Sequence, residues 1–443
     1  MKKILCMLLG VMLILSACSS GATSSSTAPI APPAAAQSGA PASQSTEAPA
    51  DDAEIRVVWW GGDSRHEITL EAIDLFEEAF PNITVNPEYM GNDSYWDKLA
   101  TQVAGGTAPD VIQFGNNYPD YVAKDALLEL ESYADNLLDF SNFDKDVIEL
   151  GSMNGHLYGI CLGTNTLTVV YNKAMIEAAG APLPNQSMSW DELREYLVTI
   201  APMLPEGVFP MADNSSNNNA YLTYYMRQNQ TPIHRNGEAL MTPEALTKWI
   251  EMWEGYRADK LIPDAETAFS FAESAPDSSS LVAGRSAIAM IWSNLVPTYQ
   301  AAMQDELDLI QLPSAANLGA WVQPSQFMCV NKKSANPEVA VSFINFFVNN
   351  PDAGVILGND RGISSSSIVR EALQAIASPI DQKVYNFYAV VTPNTFPMDA
   401  KLPNDQEFIN TYRLIMQGVA YGQSTPAEGG QQVYDLAQEL LVK

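Results

Sequence analysis

Between Ile55 and Phe114 the chain alternates short apolar runs with amphipathic ones, and this alternation restricts the fold more than any other feature. Ile55 to Trp60 reads as a strand. Ser64-x-x-Glu67 predicts a capping box, after which Ile68, Ala72, Leu75, Phe76 and Ala79 share one helical face until Pro81. Ile83 to Tyr89 reads as a second strand. Ser94 is expected to cap a second helix with the stripe Trp96, Leu99 and Val103, closed by Gly105-Gly106. Pro109 to Phe114 supplies a third strand. The order β-α-β-α-β predicts an α/β fold built on an open, mostly parallel sheet flanked by helices.

In such sheets a ligand lies outside the carboxyl ends of the strands. The three loops that leave those ends are Gly61 to Ser64, Met90 to Tyr95 and Gly115 to Tyr118. With the strand tips they carry Trp60, Asp63, Asp93, Tyr95, Asn116, Asn117 and Tyr118. Aromatics mixed with short amides and carboxylates suit sugar recognition. Ring faces cover the C–H patches of a pyranose, and amides and acids take its hydroxyls. Neighbouring residues of a strand face opposite ways, so one of Trp59 and Trp60 is expected in the core and the other, Trp60, toward ligand.

Net charge is −29, with 23 Lys plus Arg against 52 Asp plus Glu, which argues against a nucleic-acid partner. Lys2 and Lys3 precede an uncharged apolar run, Ile4 to Ala17, too short for a comfortable membrane span and suited to a secretory signal. It ends in Leu15-Ser16-Ala17-Cys18, which resembles the bacterial lipobox, with Cys18 acylated after cleavage. Residues 19–53 are Ser, Ala, Pro, Thr and Gly with almost no large apolar side chain, and are expected to form a disordered tether. Two buried free thiols and a single disulfide both fit Cys161 and Cys329, and neither has metal-site spacing. Only three histidines occur, and His66-Glu67 lacks the second histidine of a helical zinc signature. No G-x-S-x-G elbow occurs either. No cofactor or metal is expected.

Several stretches, in order, resemble the extracellular solute-binding proteins of bacterial ABC sugar importers, the group of maltose-binding protein. They are FEEAFPNITV (76–85), DKLATQVAGGTAPDVIQF (97–114), NGHLYGICLGTNTLTVVYNKAMIEAAG (154–180), SMSWDELREYL (187–197), AGRSAIAMIWSNL (283–295), SANPEVAVSFINFF and RGISSSS. Cys161 stands where most relatives carry Pro. The resemblance implies a two-lobed, periplasmic-binding-protein-like fold with the ligand cleft between lobes that close by hinge motion. One lobe would hold 54–158 and 290–326, the other 159–289 and 327–443. It also implies that Trp292, Asn294 and Trp321 face the cleft near the crossings, with Asn165 on the opposite wall. Trp190, Trp249 and Trp253 sit on helical patterns and are expected in the core.

The segment WWGGDSRHEITLEAI, with MIWSNL, is similar to binding proteins for oligogalacturonides. Two readings of Arg65 and His66 follow. In one they hold a uronate carboxylate near a helix start; in the other Arg65 is a solvated first-turn residue and His66 packs against its neighbours. The expected function is an oligosaccharide-binding lipoprotein, monomeric and not an enzyme, that delivers its ligand to ABC permease subunits from the outer face of the cell membrane. The alternative is a lipid-anchored enzyme that degrades glycans.

Overall fold

The computed structural model describes residues 52–442 apart from 135, 217–218, 236–237, 274, 315–318, 397, 400–401 and 403–404. Cys18, the leader and most of the tether lie outside the described residues. No described helix is long and apolar enough to cross a membrane.

The first half follows the alternation read from the sequence. Strands β1 (Ala53–Trp60), β2 (Ile83–Met90) and β3 (Val111–Phe114) pair in parallel, with β1 in the middle. Helices α1 (Asp63–Ala79) and α2 (Asn92–Gly105) connect them. The pleat sorts β1 as its apolar pattern demands: Ile55, Val57 and Trp59 enter one core cluster, while Val58 joins the other and Trp60 packs against it. The predicted caps are displaced. Extended Gly62 and Gly91 precede the two helices with no side-chain cap, so Ser64 and Ser94 lie inside the first turns. Each helix starts one or two residues off the strand tip, before the serine is reached. Gly106 closes α2 in the left-handed conformation expected of it (φ 68°).

Seven further strands complete two sheets. They are β4 (Gly159–Asn165), β5 (Leu167–Asn172), β6 (Phe209–Met211), β7 (Ser286–Trp292), β8 (Leu307–Ile310), β9 (Gln323–Val330) and β10 (Ile363–Ser364). The first sheet runs β10-β4-β9-β3-β1-β2 and the second β8-β5-β7-β6. The α/β, two-lobed arrangement therefore stands, but the sheets are mixed rather than mostly parallel. The reason lies in the crossings. In the first sheet β1, β3 and β4 run toward the shared edge, and β9 re-enters from it, antiparallel to β3 and β4. In the second sheet β5 enters at that edge, antiparallel to β7 and β8, which run toward it.

The same pairing moves the lobe boundaries read from the sequence. Residue 159 starts β4, while 289/290 and 326/327 fall inside β7 and β9. The strands place the crossings at Thr166, within 311–322, and after Ser364. Gly163 makes room for the last of these: a Cβ there would run into the backbone of Arg361 and Gly362.

The second lobe is packed by helices whose indoles are core, as expected. Trp190 opens α3 (Trp190–Ile200), which carries a complete Ser189/Glu192 capping box. Trp249 and Trp253 lie fully buried on α5 (Pro243–Ala258), which follows α4 (Asn219–Gln228) and packs on the C-terminal helix Pro426–Val442. Asp213, just past β6, is buried and paired with Arg257 of α5 at 2.8 Å. Removing one partner of a buried pair strands the other. Asp213→Ala is therefore expected to lower the unfolding free energy by about 3 kcal/mol, measured by urea denaturation. Cys161 and Cys329 are free and buried, and burial pushes the Cys161 thiol up to about 11. A raised thiol is protonated at pH 8 and unreactive. Peptide mapping after iodoacetamide treatment at that pH should find both cysteines unmodified until denaturant is added.

Candidate functional site

Asn165 ends β4 and Leu167 begins β5, so one residue joins the two sheets. Thr166 is fixed from both sides. Its N–H donates to Ser293 Oγ (3.1 Å), its carbonyl accepts from the Ser293 N–H (2.9 Å), and its hydroxyl donates to the Trp321 carbonyl (3.1 Å). Trp292 and Trp321 are therefore attached to the crossing itself. Their rings meet edge to face, with centroids 6.2 Å apart at 79°, and both line a cavity of about 210 Å³.

The opposite wall comes from α4. The Tyr221 hydroxyl donates to the Met290 carbonyl, Tyr224 to Leu312 and the Gln228 amide to Pro313. These bonds clamp one face of the helix to the second lobe. The other face, at i, i+4 and i+8, presents Asn219, Thr223 and Arg227 to the cavity. The Arg227 guanidinium lies 5.5 Å from the Trp321 ring centroid and 3.4 Å from Asp399 Oδ2. Asp399 is carried there by a backbone bond from Phe396 N–H to the Ala320 carbonyl (2.9 Å). Burial holds the Arg227 pKa below the ordinary arginine value, and Asp399 opposes that shift. Buried His234, half-buried Asp405 and Gln323 add polar lining, while Met398, Leu402 and Ile409 add apolar lining. Gln323 Oε1 accepts from the Trp321 indole (3.2 Å) and so sets that ring's orientation.

Of the residues singled out in the sequence, Trp292 and Trp321 come together here. Asn165 is buried at the end of β4, paired with Gln323 of β9, and its Oδ1 accepts no hydrogen bond among the described residues. Trp60 is half-buried at the tip of β1 and packs on Tyr95 and Trp96 (5.1 and 5.0 Å between centroids). It lies on the face of β1 opposite Trp59, packed against the core cluster that holds Val58 and Tyr95, and is not part of the cavity lining. Asn116 is half-buried in the turn after β3, while Asp63 at the start of α1 and Asn294 after β7 are exposed.

Two expectations are corrected, and two residues read in two ways are found in contacts within the protein. Tyr95 and Tyr118 are core residues. Tyr95 donates to the Gln113 carbonyl at 2.6 Å, and Tyr118 donates to Leu150 and Ser152 carbonyls while its ring packs on Phe327. Both lie in the first turn of a helix rather than in a loop, and each buried hydroxyl is satisfied by a backbone carbonyl. Arg65 folds its stem over Gly61, where no Cβ fits, and pairs with Asp360 at 2.6 Å. It ties α1 to the return segment. His66 accepts from the buried Trp59 indole through Nδ1 (3.1 Å), and burial lowers its pKa. The packing reading of His66 is therefore the one the structure supports. Asp213 and Asn214 are also used internally, Asn214 bonding both the N–H and the carbonyl of Met290.

The residues missed by sequence reading are Asn219, Thr223, Arg227 and Asp399. The signal for the first three was a polar line at helical spacing through the otherwise aromatic stretch NAYLTYYMRQ.

A family model described as bacterial extracellular solute-binding protein matches residues 71–366. Among solved structures, a family 1 extracellular solute-binding protein of Alicyclobacillus acidocaldarius is 28% identical, covers 88% of this chain and 98% of its own, and superposes with a TM-score of 0.80. A periplasmic oligogalacturonide-binding protein of Yersinia enterocolitica is 26% identical, with 88% and 99% coverage and a TM-score of 0.74. A lactose-binding protein of Rhizobium radiobacter is 28% identical over 149 residues, 32% of this chain and 34% of that one. The chain spans less than half the length of the curated relatives it matches.

If His66 serves packing alone, His66→Ala should lower the unfolding free energy by about 1–3 kcal/mol, because the Trp59 N–H loses its acceptor, while leaving ligand affinity unchanged. A loss of affinity at unchanged stability in calorimetry would return His66 to the site.

Proposed function

The chain belongs to the bacterial extracellular solute-binding proteins, and from that premise we propose that it captures an oligosaccharide between its lobes and delivers it to the permease of an ABC importer. The observation that carries this reading is the perpendicular Trp292–Trp321 pair at the crossing, with the Arg227–Asp399 ion pair beside it. The half-buried Trp292 indole, braced edge to face by the buried Trp321, offers apolar surface to a pyranose ring, while a guanidinium, a carboxylate and amides offer donors and acceptors to its hydroxyls. Two relatives are named for the sugars they bind, lactose and oligogalacturonides, which supports a saccharide as the ligand class.

The mechanism is reversible closure about the crossings. A ligand favours the closed form only by the difference in its affinity for the two states. In the open protein the sugar docks on the indoles of the second-lobe floor. Closure then brings the carboxyl edge of the first sheet, with Trp60, Asn116 and Asn165, toward its other side. A lipid on Cys18 and a tether over 19–53 would hold a single copy of the body at the outer face of the membrane, within reach of the permease. The chemistry is binding and release, without a catalytic step.

Trp292→Ala should weaken sugar binding by about 1–3 kcal/mol, the range for truncating a buried aromatic anchor. Isothermal titration calorimetry against the sugar found by thermal-shift screening measures it. An unchanged Kd would take Trp292, and the carrying observation with it, out of the site.

A further inference from the structure

We propose that the cavity selects neutral oligosaccharides and disfavours uronic acids, an inference that rests on the sugar-binding reading above. The charges around the cavity decide the matter. Among the described residues its lining holds one arginine, one histidine and two carboxylates: Arg227, His234, Asp399 and Asp405. Even with His234 protonated the lining carries no net positive charge, and with His234 neutral it carries a negative one. Arg227 is already committed, lying against Asp399 at 3.4 Å and over the Trp321 face. To take a ligand carboxylate it would have to share its charge with Asp399, leaving two anions side by side in a half-buried site.

Arg65 and His66 in the first sequence motif do not change this balance. Arg65 is paired with Asp360, and His66 is taken up with the Trp59 indole. Nor does the chain as a whole, whose charge of −29 repels anions at long range.

The same groups suit an uncharged sugar. Asp399 Oδ2 is buried and accepts no hydrogen bond among the described residues, its contact with Arg227 being Coulombic. A carboxylate oxygen so placed is completed by a hydroxyl, which donates, and not by a second carboxylate, which cannot. Thr223 and Asn219 extend the row of donors and acceptors along the same face of α4. The relative crystallised with saturated digalacturonic acid shares the fold, and this inference separates the present chain from it in ligand charge.

The test is calorimetric titration of the purified protein with neutral gluco-, galacto-, xylo- and arabino-oligosaccharides and with trigalacturonate, at low and physiological salt. At least one neutral sugar is expected to bind, with trigalacturonate weaker by about 100-fold or more, the scale of a like-charge contact inside a site. Asp399→Asn, which keeps the side-chain shape and removes one negative charge, is expected to narrow that gap about tenfold by improving trigalacturonate binding. Trigalacturonate bound as tightly as the best neutral sugar by the unaltered protein overturns the neutral-ligand assignment and leaves sugar binding standing. Silence from both series overturns the sugar reading and this assignment together. Because the comparison of ligands uses the unaltered chain, it holds whether or not the variant folds.

Discussion

The arrangement of this protein depends on a single residue, Thr166, joining two sheets. With β4 ending at Asn165 and β5 starting at Leu167, the edges of both sheets are held within one peptide of each other. Thr166 spends its backbone N–H and carbonyl on Ser293 and its hydroxyl on Trp321. Three separate passes of the chain are thereby gathered at one point. The strand directions follow from it: any strand that enters at the shared edge opposes those that leave by it, which is why mixed sheets replace parallel ones. The placement of the cavity follows as well, since Trp292 and Trp321 are the residues adjoining those bonds.

A division of labour separates the polar groups on either side of that point. In the first lobe the strong polar groups near the shared edge are consumed internally. Arg361 bonds Gln113 and Thr69, Arg65 pairs with Asp360, and Gln113 also reaches the Trp60 carbonyl. These bonds fasten the return segment to α1 and β3. In the second lobe Asp213 and Asn214 are likewise consumed, while α4 is anchored by Tyr221, Tyr224 and Gln228 on one face and turns Asn219, Thr223 and Arg227 toward the cavity on the other.

Much of the fold was legible in the sequence, and the reasons are local. The split of Trp59 and Trp60 to opposite faces follows from a strand's period of two. The Ser189/Glu192 cap follows from a four-residue pattern, and the burial of Trp249 and Trp253 from spacing on one helix. At Ser64 and Ser94 the same cap logic failed, because each helix begins earlier, after Gly62 and Gly91, without a side-chain cap. The site was legible only in part. Its indoles stand out by type and by their place in a familiar order of motifs. Arg227 and Asp399 do not, since they are far apart in sequence and only the bond from Phe396 to Ala320 brings them together. Tyr95 and Tyr118 misled for the converse reason: their loop positions suggested ligand, and the carbonyls that capture them are contributed by other elements.

The attachment of both indoles to the pivot has a consequence for how such a protein diversifies. A pocket grafted on a rigid wall can change its cargo without touching its mechanics. Here the surface that senses the cargo and the joint that answers it share the same peptides, so Trp292 is the immediate neighbour of Ser293, and the Trp321 carbonyl is itself part of the joint. If the lobes close on ligand as proposed, new specificities are more readily acquired at the periphery, along α4 and the segment around Asp399, than at the indoles, where an exchange would also alter the bonds at the crossing.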